Sequence, residues 1–148
     1  MSRFQFRLQT LLKLRENERQ QRQVELAQAW EAERILRGQI EMIAVEIAGA
    51  KDKVRAASMP GEVQVDSLLE LQRYGWQLRA QALAAKERLV QIQAEVERRR
   101  KVLVEADRQV RMLEKLRDKQ SAAATAELLH REQKTLDEMG QKSRGARF

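Results

Sequence analysis

Any catalytic reading of this chain has to begin at His130, the only histidine among its 148 residues. The segment H-R-E-Q-K, His130 to Lys134, places its glutamate wrongly for the zinc signature H-E-x-x-H and has no second histidine. Cysteine is absent, so there is no thiolate nucleophile, thiolate metal ligand or disulfide. No phosphate-cradling glycine loop and no nucleophile elbow occurs. The carboxylates sit among cations at helical spacing, as Glu114 does with Lys115 and Asp118, and such groups form a solvated, salt-bridged helix face. A water-excluding pocket with two carboxylates of separated pKa would need a different pattern. The chain is therefore expected to be non-enzymatic, with no cofactor and no metal.

Binding chemistry is better represented. The formal net charge is +7, and Glu97-Arg98-Arg99-Arg100-Lys101 concentrates cations, with Lys142, Arg144 and Arg147 near the end. Phosphate binding needs such charge on one face. Consecutive helical residues point about 100° apart and encircle the helix instead. No aromatic residues interleave for base stacking. An acidic protein partner or an anionic membrane surface suits this charge better than specific nucleic acid.

The elements that must carry these residues follow from composition and period. Aromatics make up 4% and charged residues 34%, with a single proline, which is the recipe of a long helix or coiled coil. Pro60-Gly61, inside S-M-P-G-E-V-Q-V-D (Ser58 to Asp66), is a turn signal. Ser67 and Glu70 after it fit an S-x-x-E capping box. Steps of four and three from Leu36 give Ile40, Ile43, Ile47, Ala50 and Val54. After the turn they give Leu68, Leu71, Gly75, Leu78, Ala82, Ala85, Leu89, Ile92, Val96, Arg99, Leu103, Ala106, Val110 and Leu113. Two seams joined by a short turn predict an all-α fold, a long antiparallel two-helix coiled-coil hairpin. Helix 1 spans about 5–57, the turn 58–66, helix 2 about 67–139, and a basic, frayed tail 140–148, within one domain. If Ala57 faces Ser67, residue 5 faces roughly residue 119, and the paired rod is roughly 80 Å long. No apolar run reaches the roughly 18 residues of a membrane span. Arg7, Gln9 and Lys13 interrupt the one candidate signal segment, so the chain is expected to be soluble and to begin at or near Met1.

Two sets of apolar residues fall off these seams. Leu69, Trp76, Leu83 and Val90 recur every seven residues at an outward position, with Tyr74 flanking and Gly75 between the aromatics. Helix 1 could wrap over them, a second copy could cover them, or a partner could dock there. At the free ends, Arg15, Arg19, Arg22 and Arg117 weaken the seam, yet Phe4, Phe6, Leu8, Leu11, Leu12 and Leu14 crowd the start. Leu128, Leu129, Leu136 and Met139 dot the other end. Either these ends close on one another or they present an intermolecular surface. F-Q-F-R-L-Q-T-L-L-K-L-R-E, Phe4 to Glu16, is expected to be the apolar start of the long first helix.

The stretches F-R-L-Q-T-L-L-K-L-R-E (Phe6 to Glu16), L-E-K-L-R-D-K (Leu113 to Lys119) and E-Q-K-T-L-D-E-M (Glu132 to Met139), with the length and two-helix layout, resemble the flagellar FliJ family. Residues 20–112 carry heptads and no family-specific word. The resemblance implies a soluble coiled coil similar to the central stalk of rotary ATPases. It further implies insertion of the paired termini into the hexameric flagellar export ATPase, a link to the cytoplasmic domain of the membrane export gate, and the holding of export chaperones. By motif match the ATPase-facing candidates are Phe6, Leu8, Leu11, Leu12, Arg15, Leu116, Arg117 and Lys119. The outward stripe of Leu69, Tyr74, Trp76, Leu83 and Val90 is the candidate surface for the gate or another partner. The implied location is cytoplasmic, peripheral on the inner membrane at the flagellar base. The coiled-coil stalk of a virulence injectisome has the same appearance, and a basic nucleic-acid-associated coiled coil is the other alternative. The latter would bind random duplex DNA with a steep salt slope. The expected result in a mobility-shift titration at physiological salt is no binding, and retention of the duplex would favour that alternative.

Overall fold

A computed structural model describes residues 3–61 and 64–146. Two helices account for nearly all of them, α1 at Gln9–Ala57 and α2 at Val65–Gly145, with no strand among the described residues. The chain divides into two compact units: Arg22–Leu103, and Met1–Gln21 together with Val104–Phe148. Within each, a stretch of α1 packs antiparallel on a stretch of α2.

In the unit Arg22–Leu103 the expected seam is the buried one. Leu36, Ala50, Leu78 and Ala85 are buried, and Ile40, Ile43, Ile47, Val54, Leu68, Leu71, Ala82, Leu89, Ile92 and Val96 are half-buried. The seam also extends upstream to Leu26 and Ala29, both buried. The register that sets Ala57 opposite Ser67 also sets Glu25 opposite Arg99. There Arg99 Nη1 donates to the Glu25 carbonyl oxygen at 2.6 Å. Arg99 is thus a half-buried seam residue whose stem packs while its head stays satisfied. Gly75 occupies a seam position for which a Cβ would meet nothing within 4 Å, so it is not there to allow close approach.

The second unit is closed by Phe6, Leu12 and Val110, with Leu113 packed against them. Leu12 and Val110 are 0% exposed. Arg19 crosses to Asp107 at 3.1 Å, and Asp107 also takes Arg111 at 2.8 Å. Polar seam positions in this unit therefore pair across the helices or along them rather than leaving a gap.

The start of the chain departs from the sequence expectation. Residues 3–6 are not helical, Arg7 and Leu8 form a turn, and α1 begins only at Gln9. The Phe6 carbonyl accepts from Gln9 N at 3.1 Å, and the Leu8 carbonyl accepts from Leu12 N at 2.8 Å. Seam steps explain the break. Counting back from Leu12, a continuing helix would bring Leu8 and then Gln5 onto the seam, leaving both phenylalanines outside. Leaving the helix at Leu8 lets Phe6 fold onto Leu12 and Val110, where it is 9% exposed. Burying such a ring is worth roughly 1.5–3 kcal/mol. An extended chain also advances about 3.3 Å per residue against 1.5 Å in a helix. Phe4 consequently lies beside Ala124 and Leu128 rather than beside residue 120.

Other boundaries shift too. Helix α2 starts at Val65 rather than at the Ser67 box. The Gln64 carbonyl accepts from Leu68 N at 3.1 Å, and the Gln64 side-chain oxygen accepts from Ser67 Oγ at 3.3 Å. Ser67 is already inside the first turn, where Asp66 favours the positive end of the helix dipole. Gly61 has φ +153°, which suits glycine and no other residue. Glu62 and Val63 of the expected turn lie outside the described residues. At the other end α2 runs to Gly145, through Gly140 and most of the stretch assigned to a tail; Arg147 and Phe148 lie outside the described residues.

Leu12→Ala should cost about 2–5 kcal/mol of local stability, because no neighbour can fill the space left in the seam. Hydrogen exchange should quicken across residues 9–20 and 104–117 and stay unchanged near Leu78. Gly75→Ala should stabilise by about 0.5–1 kcal/mol, read as a raised midpoint in thermal denaturation.

Candidate functional site

The candidate residues of the terminal unit separate by burial. Phe6 and Leu12 form its core and face the second helix, not solvent. Leu11 is half-buried, Leu8 and Leu116 are exposed, and Lys119 is fully on the surface. Arg15 holds Glu18 at 3.0 Å, and Arg117 lies 3.5 Å from Asp118. Of the eight residues singled out there, the structure makes two into supports and leaves six with some access to a partner.

Beyond Ala124 the second helix has no cover. From Thr125 to Ala146 every residue is exposed, including Leu128, Leu129, Leu136 and Met139. Leu129, Leu136 and Met139 follow the seven-residue and three-residue steps of a coiled-coil seam, yet no segment of this unit pairs with them. Phe4, with Ala124, Thr125 and Leu128, lines an open groove of ≈ 440 Å³ rimmed by Arg3, Glu127 and Arg131. Phe4 was legible as apolar; its reach to Leu128 depends on the extended start of the chain.

In the other unit the outward stripe is uncovered. Leu69, Trp76, Leu83 and Val90 are all exposed, Trp76 at 64% and Val90 at 66%. Helix α1 does not wrap over them. Tyr74 is exposed as well, but residues two apart on a helix do not face each other. The stripe therefore gathers Leu69, Trp76, Leu83 and Val90 and leaves Tyr74 on another side. Trp30, 53% exposed on α1, is a further large apolar side chain in solvent that the seam arithmetic did not single out.

The arginine run is less free than its charge suggests. Arg98 and Arg99 both bond Glu95, and Arg100 bonds Glu97 at 2.8 Å. Hydrogen bonds from Arg98 and then Arg99 hold the Glu95 carboxyl down to about 2, and the Arg100 hydrogen bond lowers Glu97 in the same direction. Three of the four consecutive cations thus have carboxylate partners on their own helix. A phosphate group approaching the run would compete with those carboxylates.

Among the described residues no cluster of three or more His, Cys, Asp or Glu could hold a metal ion, and no helix is long and apolar enough to cross a membrane. What the chain offers is apolar surface on a helical support: an uncovered end of α2 and a stripe on its turn-proximal part.

A protein-family model described as Flagellar FliJ protein matches residues 4–146. No curated protein and no solved structure gives a significant match.

The arginine contacts have a pH signature. Because the folded-state pKa of Glu95 is depressed, its contribution to helix stability is complete above the ordinary carboxylate value of 4.5 and is lost as pH falls toward 2. In a carboxyl-resolved NMR titration Glu95 should remain ionised after most carboxylates have protonated. Arg98→Gln should move its midpoint upward.

Proposed function

As the chain belongs to the flagellar FliJ family and is a component of the flagellar export apparatus, we propose that it acts without catalysing a reaction, as a coiled-coil stalk between the export ATPase and the export gate. The end where α2 outruns its partner enters the hexameric ATPase ring. Leu8, Leu11, Arg15, Leu116, Arg117 and Lys119 make the contact, with Leu128, Leu129, Leu136 and Met139 extending it. Phe6 and Leu12 act from behind, by fixing the first residues on Val110 and Leu113.

The observation that carries this reading is the seam-like row Leu129, Leu136 and Met139 on a stretch of α2 that is exposed throughout within its own unit. Apolar residues at that spacing gain by packing against another helical or looped surface, and water is a poor occupant. Turnover stays in the ATPase, and the stalk biases its subunits through contacts that differ between their states. On the turn-proximal part of α2, the stripe Leu69, Trp76, Leu83 and Val90 docks the cytoplasmic domain of the gate. Export chaperones are held on the same chain while cargo is delivered. The protein works in the cytoplasm, peripheral to the inner membrane at the flagellar base.

Co-purification with the export ATPase tests the reading. Leu8→Asp combined with Leu116→Asp changes exposed residues, so circular dichroism should keep its helical signal. Recovery of the ATPase should fall at least about tenfold, equivalent to about 1.4 kcal/mol. Undiminished recovery and undiminished stimulation of ATP hydrolysis would contradict the assignment.

A further inference from the structure

Beside the turn, within the unit Arg22–Leu103, the two helices leave a groove of ≈ 390 Å³. Its floor is apolar: Ile47, Ala50, Val54 and Leu71. It opens where Gly75 takes a seam position, because a Cβ there would meet nothing within 4 Å. Trp76, largely exposed, forms one wall. The volume falls at the lower end of the range of small-ligand pockets, roughly 300–1,000 Å³.

The rim is cationic. Lys51, Arg55 and Arg79 line the groove, and no carboxylate does. Four other arginines of this unit hold an acid one turn away: Glu31 with Arg34, Glu33 with Arg37, Glu95 with Arg98, Glu97 with Arg100. Arg79 has Trp76 and Gly75 at those positions instead. Lys51 and Arg55 stand four apart on α1, a spacing at which like charges destabilise a helix. Asp52, the acid nearest to them in sequence, does not line the groove. None of the three rim cations pairs with a carboxylate among the described residues.

We infer that this groove is a docking site for an acidic peptide segment bearing one large apolar side chain. The apolar residue fills the space above Gly75 against Trp76, and carboxylates on either side reach Lys51, Arg55 and Arg79. Charge complementarity selects the partner, since the rim offers three positive groups and no negative one. The floor argues for a peptide over a phosphate backbone, which would draw nothing from Ile47, Val54 and Leu71. The long stems of the rim cations add apolar wall below their charges. The site shares only Trp76 with the stripe assigned to the gate, and it stands whether or not the gate binds there.

The test uses the full chain carrying Trp30→Phe, in which Trp76 is the only remaining tryptophan. The probe is a synthetic glutamate-rich peptide with a single phenylalanine, titrated while Trp76 emission is followed. A saturable blue shift is expected, weakened at raised salt. Arg55→Glu with Arg79→Glu should lower the affinity at least about tenfold, or about 1.4 kcal/mol. Gly75→Leu should fill the groove from within and abolish the shift while circular dichroism stays unchanged. A peptide with lysine for every glutamate, or with serine for the phenylalanine, should not produce it. Equal response to either control peptide, or full binding by the Gly75→Leu chain, would overturn the inference. So would a blue shift with phosphatidylglycerol vesicles but none with the peptide, since the groove would then be a lipid surface. Leu83→Asp with Val90→Asp lies outside the groove and tests the gate reading separately, by recovery of the gate's cytoplasmic domain.

Discussion

A helix that packs against a single neighbour can bury only a narrow stripe of its surface, and everything else about this chain follows from that constraint. Where α1 and α2 pair within each unit, the positions that recur at steps of three and four are covered. Most other large apolar residues stay in solvent, because among the described residues no third layer takes them. In a thicker domain, Trp76, Leu83 and Val90 would be unremarkable core. Here they are surface, and contiguous exposed apolar surface marks a place where something binds.

The seam itself tolerates residues that an ordinary core would reject. Arg99 reaches a backbone carbonyl of the facing helix, and Arg19 reaches Asp107. Both are half-buried, so each charge keeps contact with water and its pairing adds register more than stability. Alanines and one glycine hold seam positions in the turn-proximal unit: Ala50 and Ala85 are buried between the helices, and Gly75 lies in the groove whose floor includes Ala50. The same economy of side chains that narrows the core shapes the surface beside it.

Much of this was legible in the sequence because a period of 3.5 sustained over many turns is hard to mistake. Leu36 to Val54 and Leu68 to Leu113 could be written down from spacing alone, and all are buried or half-buried. Residues 3–8 could not be read that way. The alternation of Phe4, Phe6 and Leu8 spans little more than one helical turn, and their conformation is decided by whether Phe6 or Gln5 packs on Leu12. The start of α2 was misplaced because an S-x-x-E pattern inside a helix looks the same as one at its beginning. Gln64, which is not a preferred cap, takes that place. The length of α2 was underestimated because Gly140 reads as a stop, whereas a single glycine inside a helix costs only about 1 kcal/mol. The groove at Gly75 needed both helices to be placed before the absence of acids around Lys51, Arg55 and Arg79 could be seen.

The central claim is that the end where α2 stands uncovered is the surface that meets the export ATPase. Hydrogen exchange on the full chain, with and without the purified ATPase, tests it most directly. Protection is expected across residues 8–16 and 113–139, with little change at 68–90. Protection confined to 68–90, or none at either place, would contradict the account.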